Sequence, residues 1–506
     1  MEYVKPHRPL YHYKAWRLYV LLLLTLCVFV NFYLQTNLGM AMVCMVNTTA
    51  VERMSSSRSH NMSMYLHDSD KCPKLIEEEE ESLGYRGKFV WTTVQQSFLV
   101  SALFYTSLLS ITVSGTLADR FNTKYIILAA MIIYAALTVL SPLLAGLHYY
   151  AFLGGRFSMG FVDGLIFPAV TAVLARWFPP SERSTVAAVY TSGSQLAVIV
   201  NSLLTPKLCV IDVWDGWPFI FYVAGLVSLI IVIISYIFLS NSPRECRWVG
   251  MKESKFLSNQ LDSHRNLEDT KPPKIPYFKI LTSPVVLSVA ANDFSYNFSY
   301  IMFSQFLPFF FRDVMQMSLS ANGISTALPF IMMIVARIPL ASFADYLKHK
   351  EILSVTATCK VMQTFACLGT ASMFVAIAFL VDCTTPTLAM VLLVLFGVTF
   401  SGEIAGAFTA ILFIAPPFVG TISSCATFVG MLAAIAAPAV FSWLNVYNTE
   451  AEYRNVFLFT AGVNLVAGIL FVIFGSAEVQ PWAKIPEENE TTKKDNDKND
   501  TIVAKF

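Results

Sequence analysis

Long, uninterrupted apolar runs separated by short polar segments dominate the chain. A hydrocarbon core about 30 Å thick needs roughly 20 apolar residues of helix, and in lipid only helices or closed barrels satisfy every backbone polar group. Barrel strands alternate apolar and polar positions over about ten residues, and these runs do not alternate. The pattern therefore predicts an all-α polytopic membrane protein with twelve transmembrane helices. The predicted spans are Leu18–Val46, Thr92–Val113, Tyr125–Ala145, Tyr149–Leu174, Thr185–Leu208, Pro218–Leu239, Pro284–Phe310, Ser320–Ala344, Ile352–Val381, Thr387–Ile414, Val419–Leu444 and Val456–Gly475.

The composition supports lipid as one of the solvents of this chain. Of its 506 residues, 55% are apolar and 14% are charged, whereas soluble domains carry about 25% charged residues. The 35 basic and 34 acidic residues nearly cancel, which argues against a nucleic-acid partner. The nine cysteines are scattered, without CxxC or His/Cys spacing, so we predict no metal site, no cofactor and no disulfide framework.

The first run is too long for a cleaved signal peptide and lacks a small-residue cleavage site. Lys5, Arg8, Lys14 and Arg17 precede it, which predicts a cytoplasmic amino terminus. With twelve spans the carboxyl terminus lies on the same side. The predicted cytoplasmic loops are rich in basic residues, as this orientation requires.

The spans divide the chain into five parts. We predict a cytoplasmic amino terminus at 1–17, an N-terminal six-helix half at 18–240, a central cytoplasmic loop at 241–283, a C-terminal six-helix half at 284–478 and a disordered tail at 479–506. Within the first half, loop 47–90 is non-cytoplasmic and carries the glycosylation sequons of Asn47 and Asn61, and its acidic run Glu77–Glu81 is interpreted as a solvated surface.

Two halves of six spans are typical of transporters with repeated halves, whose substrate site lies near the bilayer midplane. One similarity between the halves is visible in the sequence. Segment Gly115–Lys124 follows span two, and the similar segment Ser342–Lys350 follows span eight, at the equivalent place in the second half. Both resemble the signature loop of the major facilitator superfamily. That resemblance implies gating and structural roles for Asp119, Arg120 and Asp345.

Further motifs narrow the resemblance. They lie at Asn37–Asn47, Phe167–Ala169, Trp177–Ser184, Phe294–Asn297, Ile414–Pro416 and Gln480–Ala483. Together they resemble the anion-transporter family of sialin, the vesicular glutamate transporters and the sodium-dependent phosphate cotransporters. The resemblance implies a secondary transporter of a small organic or inorganic anion, coupled to H+, Na+ or membrane potential. We expect a monomer in the plasma membrane or in a lysosomal or vesicular membrane.

Ionisable side chains inside a membrane are costly and usually functional. Arg156 and Asp163 are seven residues apart in span four and share one helix face. The resemblance implies that Arg156 contacts the anion and Asp163 couples transport to protons. The alternative is an internal Arg–Asp clamp. Gly160 and Gly164 form a small-xxx-small pair, which indicates close helix packing.

The chain departs from the family pattern at several positions. Gln35 stands where the family usually has an arginine, Thr171 replaces a histidine, and apolar Ala410–Phe413 replaces an Asn-His-Leu-Asp motif. In span seven, Ser295 stands where the glutamate transporters have an arginine. The departures favour an anion other than glutamate, and they also motivate a different hypothesis, a membrane sensor or scaffold that no longer transports.

Other polar residues in the spans compensate for these losses. Glu403 lies in span ten, Arg337 in span eight and Asp293 near the start of span seven, where it shares a stripe with Asn297, Tyr300 and Ser304. For Glu403 and Arg337, a mutual ion pair and contact with the substrate both remain open. We predict coupling roles for Asp163, Glu403 and Asp293. The predicted substrate-binding residues are Arg156, Gln35, Thr171, Tyr296, Asn297 and Tyr300, with Asn31, Tyr190 and Gln195 as further cavity candidates.

Catalysis has no support in the sequence, which shows no Gly-rich phosphate loop, nucleophile elbow or metal-ligand spacing. A twelve-span membrane enzyme is therefore the weakest of the three readings.

Overall fold

In a computed structural model of the chain, the described residues are 12–13, 15–51, 82–85, 87–178, 183–211, 213–251, 253, 257, 275–415 and 418–483. Helices account for most of this part. Each of the twelve predicted spans coincides with one helix or with one interrupted pair of helices. They are α1 Trp16–Met45, α2 Thr93–Arg120, α3 Thr123–Leu147, α4 Tyr149–Trp177, α5 Arg183–Cys209, α6 Pro218–Phe238, α7a Pro284–Ile301, α7b Leu307–Asp313, α8 Leu319–His349, α9 Val355–Leu380, α10a Pro386–Phe400, α10b Ala407–Ile414, α11 Val419–Leu444 and α12 Glu450–Phe474.

Within the described residues, ten helical segments are long and apolar enough to cross a membrane. The other two positions belong to α5, which is 27 residues long, and to the interrupted α7. Several helices continue beyond the predicted apolar runs: α2 extends to Arg120 and α12 begins at Glu450. Hydropathy marks only the lipid-embedded part of a helix, while helical hydrogen bonding continues into polar residues.

The two groups of six helices repeat the same packing. In the first half α2 packs on α4, α1 on α5, and α3 on both α4 and α6; in the second half α8 packs on α10a, α7a on α11, and α9 on both α10a and α12. The halves meet through two equivalent pairs, α5 with α8 and α2 with α11. This agreement shows a six-plus-six architecture that sequence identity between the halves barely reveals.

Two helices of the second half are interrupted. A π-helical turn, Met302–Phe306, separates α7a from α7b, and Pro308 is the second residue of α7b. In α10, a 3-10 segment, Ser401–Ile404, precedes Ala405 and Gly406 before α10b begins. Interruptions of this kind are tolerated at membrane depth where protein or a cavity surrounds the backbone.

Apart from the two long connections after α1 and α6, consecutive helices are joined by short connections and run antiparallel, so the bundle has two ends. We call the end with Trp16 and His349 the near face and the end with Met45 and Leu319 the far face. At the far face, Tyr85 Oη donates to Met317 O at 2.6 Å and Leu319 N donates to Leu83 O at 3.0 Å. These bonds join the loop of the first half to the second half, and they hold the halves together at the far face.

The expectation of no disulfide framework is wrong. Cys44 at the end of α1 is bonded to Cys209 at the end of α5, with Cα atoms 6.2 Å apart and 165 residues between them in sequence. Cys383, in the connection between α9 and α10a, also forms a disulfide. Spacing along the chain could not reveal these bonds, because the helix ends that carry the cysteines meet only in the folded bundle.

Candidate functional site

A buried polar cluster lies at mid-depth in the first half. Asp163 of α4 accepts a hydrogen bond from Ser107 Oγ of α2 at 2.9 Å through Oδ2, while its Oδ1 has no partner in the described part of the chain. The Asn31 amide of α1 lies beside the same carboxylate, and Tyr134 of α3 is close enough to interact with it electrostatically. We call Asn31, Ser107, Tyr134, Arg156 and Asp163 the N-half cluster.

Arg156 belongs to this cluster but does not pair with Asp163. Its side chain is 2% exposed, Nε donates to Leu99 O of α2 at 3.4 Å, and Nη1 lies 3.7 Å from Met159 Sδ. Within the described residues no carboxylate lies within ion-pair distance of the guanidinium. The direct Arg156–Asp163 ion pair of the clamp alternative is therefore not formed in this conformation. The buried cation and the buried carboxylic acid share one helix face and interact electrostatically without an ion pair.

Close packing of α4 on α2 places the cluster. A Cβ atom at Gly160 would meet Leu103 O and Thr106 Oγ1, and one at Gly164 would meet Ser110 Oγ and Ser107 O. The small-xxx-small prediction is confirmed. Because neither glycine has a side chain, the backbones approach closely enough for Ser107 to reach Asp163.

A second polar group joins the two halves. Arg337 Nη1 of α8 donates to Thr191 Oγ1 of α5 at 3.4 Å. The amide orientation that satisfies both ends of Gln195 places its oxygen 3.2 Å from Arg337 Nη2, while its nitrogen donates to Thr191 O at 3.0 Å. Tyr296 and Tyr300 of α7a are close enough to interact with the guanidinium electrostatically. We call Thr191, Gln195, Tyr296, Tyr300 and Arg337 the interface cluster.

Asp293 and Glu403 lie in a third group, inside the second half. Asn297 Nδ2 donates to Asp293 Oδ2 at 3.2 Å, which confirms that these two residues share a helix face. Ser304 lies within the π-helical turn, where the change of helical register ends the predicted stripe. Glu403 interacts electrostatically with Asp293 and lies beside the Gln363 amide. The Arg337–Glu403 ion pair is not formed within the described residues.

The break in α10 is stabilised by side chains from neighbouring helices. Gln363 Oε1 of α9 accepts a hydrogen bond from Ala407 N, the first residue of α10b, at 2.8 Å. Gln363 Nε2 donates to Asn292 Oδ1 of α7a at 2.7 Å. Glu403 therefore lies on an irregular segment that two other helices hold in place, rather than on a continuous helix as predicted.

The remaining predicted substrate residues lie apart from one another. Gln35 is 6% exposed in α1, and its backbone carbonyl accepts a hydrogen bond from Gln305 Nε2 at 3.3 Å. Thr171 of α4 donates its hydroxyl hydrogen to Pro168 O at 2.8 Å. Tyr190 stacks obliquely on Phe167, with ring centroids 6.0 Å apart. The structure thus separates the predicted residues into two halves and one interface instead of gathering them at one point.

The predicted gating residues and Asn47 lie at or near helix ends. Asp119 and Arg120 lie in the last turn of α2 and Asp345 lies in α8, so the predicted loops are helix ends; the side chains of the first two are outside the described residues. Asp345 pairs with Lys348 at 2.7 Å. Asn47 Oδ1 accepts from Ala50 N at 2.9 Å, and Asn61 is outside the described residues.

Sequence reasoning missed Ser107, Tyr134, Thr191 and Gln363. For Ser107 a signal existed, because Ser107, Ser110 and Ser114 are spaced so that they share one face of an apolar helix, and all three are buried. Tyr134, Thr191 and Gln363 carry no such pattern. Their roles depend on which helices pack together, which only the tertiary structure supplies.

Comparison with known proteins finds relatives that match nearly the whole chain. A Caenorhabditis elegans protein named uncharacterized transporter slc-17.3 is 30% identical over 96% of this chain and 93% of its own length. Sheep sialin, from Ovis aries, is 26% identical over 90% of this chain and 88% of its own length.

Among solved structures, a bacterial homologue of the human lysosomal transporter Spinster, in an inward-facing and occupied conformation, superposes with a TM-score of 0.65. It is 15% identical and covers 90% of this chain and 96% of the other. The predicted all-α polytopic membrane fold of the major facilitator type is confirmed. Residues 24–438 match the sequence model of the family named Major Facilitator Superfamily. The chain, a multi-pass membrane protein, belongs to the Major Facilitator Superfamily and is not an enzyme.

Proposed function

We propose that the protein is a secondary active transporter that moves a small organic or inorganic anion by alternating access. The N-half cluster carries this proposal, because a buried guanidinium and a buried carboxylic acid lie on one helix and form no ion pair within the described residues. Such groups are expensive inside a membrane and are usually kept for transport chemistry. The similarity to sialin supports an anion as the solute.

In this proposal Arg156 contacts the anion, since a guanidinium stays charged and binds carboxylate or phosphate through two parallel hydrogen bonds. Gln35, Thr171, Tyr296, Asn297 and Tyr300 supply further polar contacts. Each of these is a neutral donor or acceptor. They can orient the solute but add no charge, so the transported species carries few negative charges.

Coupling in this proposal uses the carboxylic acids. Asp163 takes up and releases a proton, and its Oδ1, which has no hydrogen-bond partner among the described residues, leaves room for that proton. Asp293 and Glu403, which lack a basic partner within the described residues, form a second candidate site for H+ or Na+. Membrane potential is an alternative driving force.

The conformational change is a rocking of one half against the other about a central site. The two equivalent contacts, α5 with α8 and α2 with α11, are the surfaces that slide. Asp119, Arg120 and Asp345 lie at the near ends of α2 and α8, where they limit opening. We propose residues 18–240 and 284–478 as the moving halves and the intervening 241–283 as the connecting loop.

We further propose that both termini are cytoplasmic and that the far face meets the lumen or the exterior. The disulfide of Cys44 and that of Cys383 lie at the far face, whereas Cys246 near the other face is free. Disulfides persist in oxidising compartments and thiols in the cytosol. The same orientation exposes Asn47 and Asn61 to glycosylation, in the plasma membrane or a lysosomal or vesicular membrane.

The test is an uptake screen with the purified full-length chain in proteoliposomes. Radiolabelled phosphate, benzoate, glutamate and sialate are each offered under separately imposed pH, sodium and voltage gradients. We expect accumulation of at least one anion above the level of empty vesicles, driven by one of these gradients. A chain that is folded and monodisperse, yet accumulates none of them under any gradient, favours the sensor or scaffold hypothesis instead.

A further inference from the structure

Arg337 is a guanidinium placed between the two halves of the bundle, and its hydrogen bonds within the described residues go to neutral groups. We propose that it holds the charge of an organic carboxylate whose apolar body lies against the aromatic rings of α7a, and that it is a specificity-determining residue of the transporter. The proposal rests on the anion transport proposed above. It adds a binding residue in the second half and a substrate class.

The contacts of Arg337 leave it ready for an anion. Its Nη1 and Nη2 bond a hydroxyl and an amide oxygen, at 3.4 and 3.2 Å, and its buried Nε has no partner in the described part of the chain. No carboxylate lies within ion-pair distance there. Neutral oxygens solvate a buried cation only partly. A carboxylate would satisfy two donors at once and displace Thr191 and Gln195 as acceptors.

The same cation lies at the surface where the halves slide. Thr191 and Gln195 belong to α5 of the first half, and Arg337 belongs to α8 of the second half. An anion that replaces these two acceptors takes over the hydrogen bonds between the halves. Binding at Arg337 is therefore coupled directly to the relative position of the two halves, as a site of alternating access requires.

The rings beside Arg337 indicate what kind of anion fits. Tyr296 stacks on Phe400 with centroids 4.7 Å apart and on Tyr300 with centroids 6.3 Å apart. Phe32 of α1 meets the ring of Tyr300 edge-on at 6.5 Å. These rings come from both halves. Aromatic faces contribute to binding through apolar contact, so they suit an organic body attached to the carboxylate and contribute little to phosphate.

The experiment uses the full chain in proteoliposomes with [14C]benzoate and [32P]phosphate as probes. Uptake is measured for the wild type, R337Q, R337K and the double variant Q195R/R337Q, which moves the guanidinium from α8 to the facing helix. Arg454→Gln is the matched control, because it removes a guanidinium paired with Glu450 at the far end of α12. Each variant must elute as a monodisperse peak and unfold cooperatively on heating.

We expect R337Q to raise KM for benzoate about 10- to 100-fold, as for loss of a charged hydrogen-bond partner. R337K should fall in between, since lysine keeps the charge but not the planar fork. The double variant should have a KM for benzoate within about threefold of the wild-type value. The control Arg454→Gln should have the KM of the wild type. Recovery separates a role in binding from one in folding.

Two results would overturn the inference while the proposed transport stands. One is a folded R337Q with the KM of the wild type for benzoate. The other is a wild type that accumulates phosphate and ignores benzoate. If the wild type accumulates no anion in the wider screen, the proposed transport itself fails, and this inference fails with it.

Discussion

Ser107 Oγ donates a hydrogen bond to Asp163 Oδ2 at 2.9 Å across the contact between α2 and α4, and the second oxygen of the carboxyl group has no partner within the described residues. One oxygen is thereby oriented while the other is left for a proton. This relationship gives the proposed coupling role of Asp163 a structural form that can be tested.

Asp163→Asn should flatten the pH dependence of uptake, because an amide of the same shape cannot take up or release a proton at this site. The measurement is initial uptake of whichever anion proves active, at external pH values from 5 to 8. Ser107→Ala is the matched control: it removes the hydrogen bond but keeps the titratable group, so its uptake should remain pH-dependent. An unaltered profile in a folded Asp163→Asn variant would refute the role.

Arg156→Lys and Arg156→Ala should both reduce uptake by about tenfold or more, since a hydrogen bond to a charged group contributes roughly 1.5–3 kcal/mol. Lysine keeps the charge, but it cannot reproduce a planar fork that reaches both Leu99 O and an anion. Initial uptake rates, normalised to the reconstituted protein, check this. Wild-type rates in the lysine variant would show that charge alone suffices, and wild-type rates in the alanine variant would remove Arg156 from the site.

Gly160→Leu should destabilise the protein, because its side chain would collide with Leu103 O and Thr106 Oγ1 of α2. Overpacking of this kind costs about 1–3 kcal/mol or more. Gly154→Leu is the matched control on the same helix, since a Cβ atom there meets nothing within 4 Å. Thermal unfolding in detergent measures both. Equal melting temperatures for the two variants would contradict the close α2–α4 contact.

Replacing Cys44 and Cys209 together by serine should lower the stability of the protein by about 2–4 kcal/mol, because the disulfide closes a long loop and limits the unfolded chain. The melting temperature should fall, and reductant should lower that of the wild type at least as far, because it also opens the disulfide of Cys383. Cys246→Ser, at a free cysteine, should leave the melting temperature unchanged. A double variant as stable as the wild type would argue against this bond in the native protein.

Much of the membrane architecture could be predicted from the sequence. Ten of the twelve apolar runs coincide with one continuous helix, and the bounds of α11, Val419–Leu444, agree with the prediction residue for residue. Hydropathy succeeds here because a lipid-embedded backbone must satisfy its own hydrogen bonds, so a long apolar run has only one local solution. Even the packing of Gly160 and Gly164 follows from spacing within one helix.

The sequence alone also determined which ionisable residues are candidates for substrate binding or coupling, because charge inside an apolar run is visible without coordinates. It did not determine their partners. Arg337 was as compatible with Glu403 of its own half as with a substrate, and only the packing of α8 on α5 places it beside Thr191 and Gln195.

The packing of helices also decides the disulfide of Cys44 with Cys209 and the break in α10 at Glu403. The physical reason is that a helix is specified locally, by about 20 residues and the lipid around them, whereas a partner is specified by which helix faces meet. Contacts between helices join residues that are far apart in the chain, and the periodicity of a single helix does not predict them.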